Sequence, residues 1–297
     1  MLLQAPTLAE LPWLVHGFST RQGGVSRLSP SSPPQDLNLG EVSWDNPRNV
    51  AENRRRLLSV LGPAGMTLPM MLIVQRQIHS DLIRVIDAGT RDAGSWASSD
   101  SSQPLAGDGL ITARPDRLLS ILAADCLPIL LVDVKQRVVA ALHCGWRGTL
   151  RRIAAKGVGQ MRMLFGSRPE DLRAAIGPGI RSCCYKVGPE VVEAFSGQFP
   201  YWSDVVLSRT EPRSPLEKKY PRIFLPRPTT LERMESTVLY LDLVMANIRQ
   251  LQEAGIAARN IWSGAPCTSC HPELFFSHRR DAGRTGRMMG MVGIRES

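Results

Sequence analysis

Three residues at the ends of apolar runs have the side chains for chemistry. His79 follows MLIVQRQI (Met71 to Ile78), His143 follows VVAAL (Val138 to Leu142), and Cys126 stands behind Asp125 after LLSILAA (Leu118 to Ala124). Open α/β sheets tend to carry their chemistry at strand ends. Two imidazoles and a thiolate match a catalytic zinc that keeps its fourth position open. The spacing is not that of a compact zinc finger, and the same three residues also suit two structural histidines and one buried cysteine. A Cys–His pair at strand ends is, besides, the layout of a thiol nucleophile and its base.

The surroundings of these residues add further groups. HCGWRGT (His143 to Thr149) reads as a strand-to-helix turn. Its glycines allow a close approach of backbone to ligand, and its N–H groups together with Arg147 can hold an anion. Asp108, between Gly107 and Gly109, is either a turn former or a functional carboxylate. The basic residues cluster at Arg54 to Arg56, Arg147 to Arg152 and Arg279 to Arg287. Guanidinium groups grip phosphate as a fork, so the clusters suit an anionic small substrate. CTSCH (Cys267 to His271) has the spacing of a haem attachment site, but that chemistry requires export. The pair also suits a structural zinc or a redox dithiol.

The elements that must position these groups alternate between strands and helices. Leu118 to Ala124, Pro128 to Asp133 and Val138 to Leu142 read as buried strands, with another beginning at Ala174 to Ile176. A helix is expected from Thr149 to Phe165, with Thr149 as its cap and Gly166 as its stop. Pro189 to Phe195 and Val238 to Ala254 read as two more helices, the second with an apolar stripe that includes Met245, and Arg287 to Ile294 as a closing strand. Ser26 to Pro34 and Gly94 to Gln103 are loops by composition, and about Ser208 to Thr230 is an irregular insertion within one domain. The sum is α/β (α+β): a large mixed sheet with helices outside.

The 297 residues suffice for a substantial core, and 43 % apolar with 21 % charged residues is ordinary for a globular protein. No apolar run approaches the ~20 residues that span a bilayer. The N-terminus lacks a basic region ahead of its apolar stretch, which Glu10 and Pro12 interrupt. That argues against a secretory signal and for a cytoplasmic protein. Six cysteines in such a chain point to metal binding or chemistry rather than disulfides. The formal charge of +9 reads as an arginine-rich solvated surface, in preference to a nucleic-acid-binding face.

Several motifs, in order, resemble the laccase-domain family, known also as multicopper polyphenol oxidoreductases or zinc-type purine nucleoside phosphorylases. They are HGFSTRQGGV (His16 to Val25), DLNLG (Asp36 to Gly40), ENR (Glu52 to Arg54), QIHS (Gln77 to Ser80), GDGLIT (Gly107 to Thr112), ADCLPI (Ala124 to Ile129) and HCGWRG (His143 to Gly148). AIGP (Ala175 to Pro178), CYKVG (Cys184 to Gly188), Cys267-Thr268, FFSHRRD (Phe275 to Asp281) and TGRM (Thr285 to Met288) complete the match. The resemblance covers essentially the whole chain, residues 1–297, as one domain. It implies a single three-layer sandwich with a mixed sheet, cysteine-hydrolase-like, and zinc ligands at His79, Cys126 and His143.

The activity it implies is phosphorolysis of adenosine, inosine, guanosine and methylthioadenosine, with deamination of adenosine. Some relatives are described as peptidoglycan editing factors, so an amidase acting on cell-wall precursors is the second reading. A basic nucleic-acid-binding protein with a structural zinc is a third. In a nucleoside enzyme the zinc would lower the pKa of a bound water to about 7. Asp108 or Asp125 would move protons, and Arg147, Arg54 or Arg76 would bind phosphate. Asn38 would hydrogen-bond the nucleoside, unless it is a turn residue. The oxidase name fits poorly: there are five histidines and no His-x-His pair, so copper at the zinc site would support only weak oxidation. The chain departs from the family pattern at Ala124, Cys144 and Gly179. Cys144 adds a thiol beside the proposed ligands.

Overall fold

A computed structural model describes residues 2–28, 35–62, 68, 70–86, 105–210 and 237–295. The described chain divides into two compact units, Met1–Arg181 with Leu243–Ser297, and Ser182–Asp242. The first unit holds two sheets. Five strands run in the order β1 (Leu2–Leu3), β2 (Leu14–Ser19), β15 (Met288–Ile294), β7 (Arg117–Ala123) and β4 (Met71–Ile73). Six run in the order β14 (Ile261–Trp262), β10 (Leu172–Ile176), β8 (Leu127–Asp133), β9 (Val138–Cys144), β6 (Gly109–Thr112) and β5 (Ile83–Val85). β3 (Gln22–Ser26) lies outside both sheets.

The mixed α/β architecture is as expected, but the large sheet is two sheets face to face. Phe18, Ile73, Leu119, Ile121 and Val292 of the first meet Leu110, Leu130, Val132, Val139 and Ala141 of the second in one dry core. Strands covered on both faces are buried along their length and mainly apolar, as β8 and β9 are apart from Asp133 and His143. The outer face of the five-stranded sheet takes Leu57, Leu58 and Leu61 of α2 (Pro47–Leu61) against Val15, Leu72, Leu118 and Met291. On the outer face of the six-stranded sheet packs α4 (Ile153–Phe165). Its Gly157 lies so close that a Cβ there would stand 2.7 Å from Leu142.

The helix expected from Thr149 to Phe165 is broken. α3 (Trp146–Leu150) begins after Gly145, and Arg152, in a left-handed conformation with φ of 61°, separates it from α4. Thr149 is no cap. Its hydroxyl accepts from Asn247 (2.9 Å) and its carbonyl from Gln250 (2.8 Å), both on α7 (Leu243–Glu253). Gly166 ends α4 with φ of 68°, as expected of a glycine stop.

The second unit is a three-stranded antiparallel sheet, β11 (Lys186–Val187), β13 (Thr237–Leu241) and β12 (Val206–Thr210), with α5 (Pro189–Gln198) and α6 (Trp202–Val205). The helix expected from Val238 to Ala254 is therefore strand β13 followed by α7. Val238 to Leu241 pair in register with β12, and Met245 of the expected stripe is exposed. The loop at Gly94 to Gln103, residues 29–34, and most of the stretch from Ser208 to Thr230 lie outside the described residues. α1 (Pro6–Ala9) follows β1 in the first unit.

His16, on β2, is buried as a neutral imidazole. The Ala5 N–H donates to its Nε2 (3.1 Å), which requires that nitrogen to be unprotonated. Burial pushes its pKa down from 6.5 to about 4. The unfolded chain thus binds a proton that the fold rejects. This contribution to stability is complete above pH 6.5 and is lost as pH falls towards 4, by about 3 kcal/mol. Urea unfolding between pH 7 and pH 4 should show this slope, and His16→Gln should flatten it.

Candidate metal centre

Hairpin geometry brings the expected ligands together. β8 and β9 are joined at Asp133, whose Oδ1 accepts from the backbone N–H groups of Lys135 (2.8 Å) and Gln136 (2.9 Å). The antiparallel register then sets Leu127 opposite Cys144 and Pro128 opposite His143, so the residue before β8 meets the end of β9. β6 lies on the other side of β9 with Gly109 opposite Leu142, which carries Asp108 to the same end. The Asp108 and Gly109 N–H groups both donate to the Leu82 carbonyl (2.9 and 3.1 Å), docking the loop that bears His79.

There the ligand atoms of His79, Cys126 and His143 lie within 4.8 Å of one another. The two imidazoles stand edge to face with centroids 5.0 Å apart. His143 Nδ1 is 2.8 Å from Asp108 Oδ1, so its Nε2 is the nitrogen left for a metal. Asp108, fully buried, also accepts from the N–H groups of Ile78 (3.2 Å), His79 (3.0 Å) and Ser80 (2.6 Å), and from the Ser80 hydroxyl (2.7 Å). One carboxylate therefore holds the His143 ring and the backbone of the loop that bears His79. His79 has φ of 56°, in the left-handed region, and its carbonyl accepts from Arg151 (2.8 Å).

The electrostatics agree with this convergence. Burial raises the Cys126 thiol, but His143 and His79 outweigh it and hold it low. Burial lowers His143, but Cys126 and Asp108 outweigh that and hold it high. Burial likewise raises Asp108, and its donors bring it down to about 2. Two nitrogens and a sulfur, with a carboxylate behind one imidazole, fit a zinc-like ion with an open position. Cys144 is outside this donor set, and burial keeps its thiol well above the usual range.

Gly145 lies directly against two of the ligands. A Cβ at this position would stand 2.8 Å from Cys126 Sγ and 3.7 Å from His79 Cδ2. Gly145→Ala should displace the sulfur and weaken zinc binding by about 10-fold or more, the scale of a misplaced ligand. Equilibrium competition with a chromophoric chelator would measure it.

The other expected site residues are placed differently. Asn38 is buried and its amide serves a turn: Oδ1 accepts from Gly40 (3.2 Å) and Arg287 (2.9 Å) N–H groups, and Nδ2 donates to Gly40 O and Asp45. Arg54 is buried and donates to the Leu39 carbonyl (2.9 Å). Arg76 and Arg147 are exposed, and Arg147 stacks on Trp146 at 4.4 Å. Asp125 flanks Cys126, with both carboxylate oxygens hydrogen-bonded. Ser80, Arg151 and Arg287 lie within the motifs and basic clusters of the sequence, but the sequence assigns none of them to this site; burial lowers the pKa of Arg287 while Cys126 and Asp125 raise it. In Cys267 to His271, Cys267 accepts from the Arg181 N–H (3.5 Å) and His271 pairs with Glu273.

A sequence model of the multi-copper polyphenol oxidoreductase laccase family matches residues 15–295. The chain belongs to this family. A relative from Deinococcus radiodurans, named purine nucleoside phosphorylase, is 37 % identical over 99 % of this chain and 92 % of its own length. A prokaryotic protein of unknown source, named adenosine deaminase RL5, is 33 % identical over 92 % of this chain and 91 % of its own. The crystal structure of YlmD from Geobacillus stearothermophilus superposes with a TM-score of 0.76 at 34 % identity, covering 98 % of this chain and 94 % of that one. Among the described residues of this laccase-family chain, no helix is long and apolar enough to cross a membrane.

Proposed function

We propose that this protein is a zinc-dependent purine nucleoside enzyme. It cleaves adenosine, inosine, guanosine and methylthioadenosine with phosphate, and it deaminates adenosine. The observation that carries this reading is the convergence of His79, Cys126 and His143 on one point, with Asp108 holding the His143 ring and the His79 backbone. The relatives named for phosphorolysis and deamination support it. Zinc held by His79, Cys126 and His143 would supply Lewis-acid chemistry at the site.

The chain's own residues do the rest. Asp108 holds the proton of His143 on Nδ1 and keeps the ring aimed at the metal. Its oxygens already accept five donors, which assigns it to orientation rather than proton shuttling. Arg147, exposed and four residues beyond His143, is the phosphate ligand that we favour among the arginines; Arg54 is buried, with its Nε donating to the Leu39 carbonyl. Zinc rather than copper is proposed, because the chain has no His-x-His pairs from which to build a copper cluster.

One observation favours a second reading. Cys126, His143 and Asp108 are also ordered as a nucleophile, base and orienting acid, which suits an amidase acting on cell-wall precursors. Product analysis with adenosine, with and without phosphate, separates the two. Phosphate-dependent adenine and phosphate-independent inosine, both lost on chelation, support the zinc enzyme. No turnover with zinc bound, and thiol reactivity that rises on chelation, favours the amidase.

A further inference from the structure

Cys126 is reached through a strained corner. The chain leaves β7 at Ala123 and enters β8 at Leu127, so it passes from one sheet to the other in three residues. The middle one, Asp125, has φ of 91°, a backbone conformation that residues with side chains rarely adopt. Such a conformation persists only where the surroundings impose it, and such residues gather at functional sites.

Asp125 is held from three directions. Its carbonyl accepts from the Ile180 N–H (2.8 Å), its Oδ1 from the Thr268 hydroxyl (2.6 Å) and its Oδ2 from the Arg279 N–H (2.7 Å). Gly179 makes room for the first of these: a Cβ there would stand 2.9 Å from the Asp125 carbonyl oxygen. Thr268 is itself fixed. Its N–H donates to the Gly179 carbonyl (3.1 Å), and its own carbonyl accepts from the Arg280 guanidinium (2.9 Å). Thr268 is fully buried, so its hydroxyl has no solvent to turn to.

We infer that Asp125 and Thr268 are positioning residues: together they hold the corner between the sheets so that the Cys126 sulfur faces His79 and His143. This rests on the metal centre proposed above. Asp125 acts through the neighbouring cysteine, and its two carboxylate oxygens serve the fold.

The test measures zinc dissociation constants and the cobalt spectrum of the full chain, in wild type, Thr268→Val and Thr268→Ser. Thr268→Val should weaken zinc binding by about 10- to 100-fold, the range for groups that orient metal ligands. It should also diminish the sulfur-to-cobalt charge-transfer band, and because it strands the buried Asp125 Oδ1 it should lower metal-free stability as well. Thr268→Ser should restore affinity and spectrum. Wild-type affinity and spectrum in Thr268→Val would overturn the inference. Should that variant not fold, Asp125→Gly serves instead. Glycine adopts positive φ freely but offers neither carboxylate acceptor, and wild-type zinc binding there would equally overturn it. A wild-type chain that binds neither metal removes the metal centre itself; tight wild-type binding unchanged in the variants removes this inference alone.

Discussion

Asp108→Ala releases the metal and destabilises the fold together. The carboxylate is fully buried and accepts from three backbone N–H groups, a hydroxyl and the His143 ring. Alanine removes every acceptor and supplies none. Each stranded buried donor costs about 1–3 kcal/mol, and partial relaxation brings the total to about 3–5 kcal/mol. The same change frees the loop carrying His79 and lets the His143 ring choose its tautomer, so zinc affinity falls by about 10- to 100-fold. Chemical denaturation and metal competition on the same preparation would read both effects. With its pKa held at about 2 against 3.8 unfolded, Asp108 contributes fully above the upper value. That contribution fades as pH falls through the lower one.

His143→Ala removes a ligand outright and has the larger effect on turnover. Lewis-acid activation is worth several kcal/mol, so its loss lowers kcat by about 1,000-fold or more. Zinc content after dialysis should drop with it, since two remaining donors make a weak site. Arg147→Ala, by contrast, should retain zinc and raise the KM for phosphate. If His143→Ala kept full activity without metal, the chemistry would lie elsewhere.

Cys126 and His143 were legible in the sequence because they stand at the ends of apolar strands, whereas His79 lies six residues beyond β4, in a loop that Asp108 docks. The resemblance then selected His79 and His143 from five histidines. What supports those ligands was not legible. The Ser80 hydroxyl meets a carboxylate 28 residues away, and the Thr268 hydroxyl meets one 143 residues away. Isolated hydroxyls carry no periodic signal, and backbone N–H donors carry no sequence signal at all. Similarly, a strand buried on both faces does not announce its sheet, so β7 and β8 read as neighbours in one sheet although they belong to two. The run from Val238 to Ala254 failed for a related reason. Its β-branched and aromatic start was absorbed into the helical stripe that begins at Leu243. Asn38 and Arg54 looked like substrate contacts because they are polar residues within family motifs. In the structure Asn38 hydrogen-bonds within a turn and the Arg54 Nε donates to the Leu39 carbonyl.

The central claim is that nucleoside chemistry occurs at the ion held by His79, Cys126 and His143. Its most direct test titrates the metal-free protein with zinc, following bound metal and adenosine turnover together. Activity that rises linearly, breaks at one equivalent and is absent in Cys126→Ser is the predicted result. Turnover that is full before zinc is added, or that persists in Cys126→Ser, would contradict it.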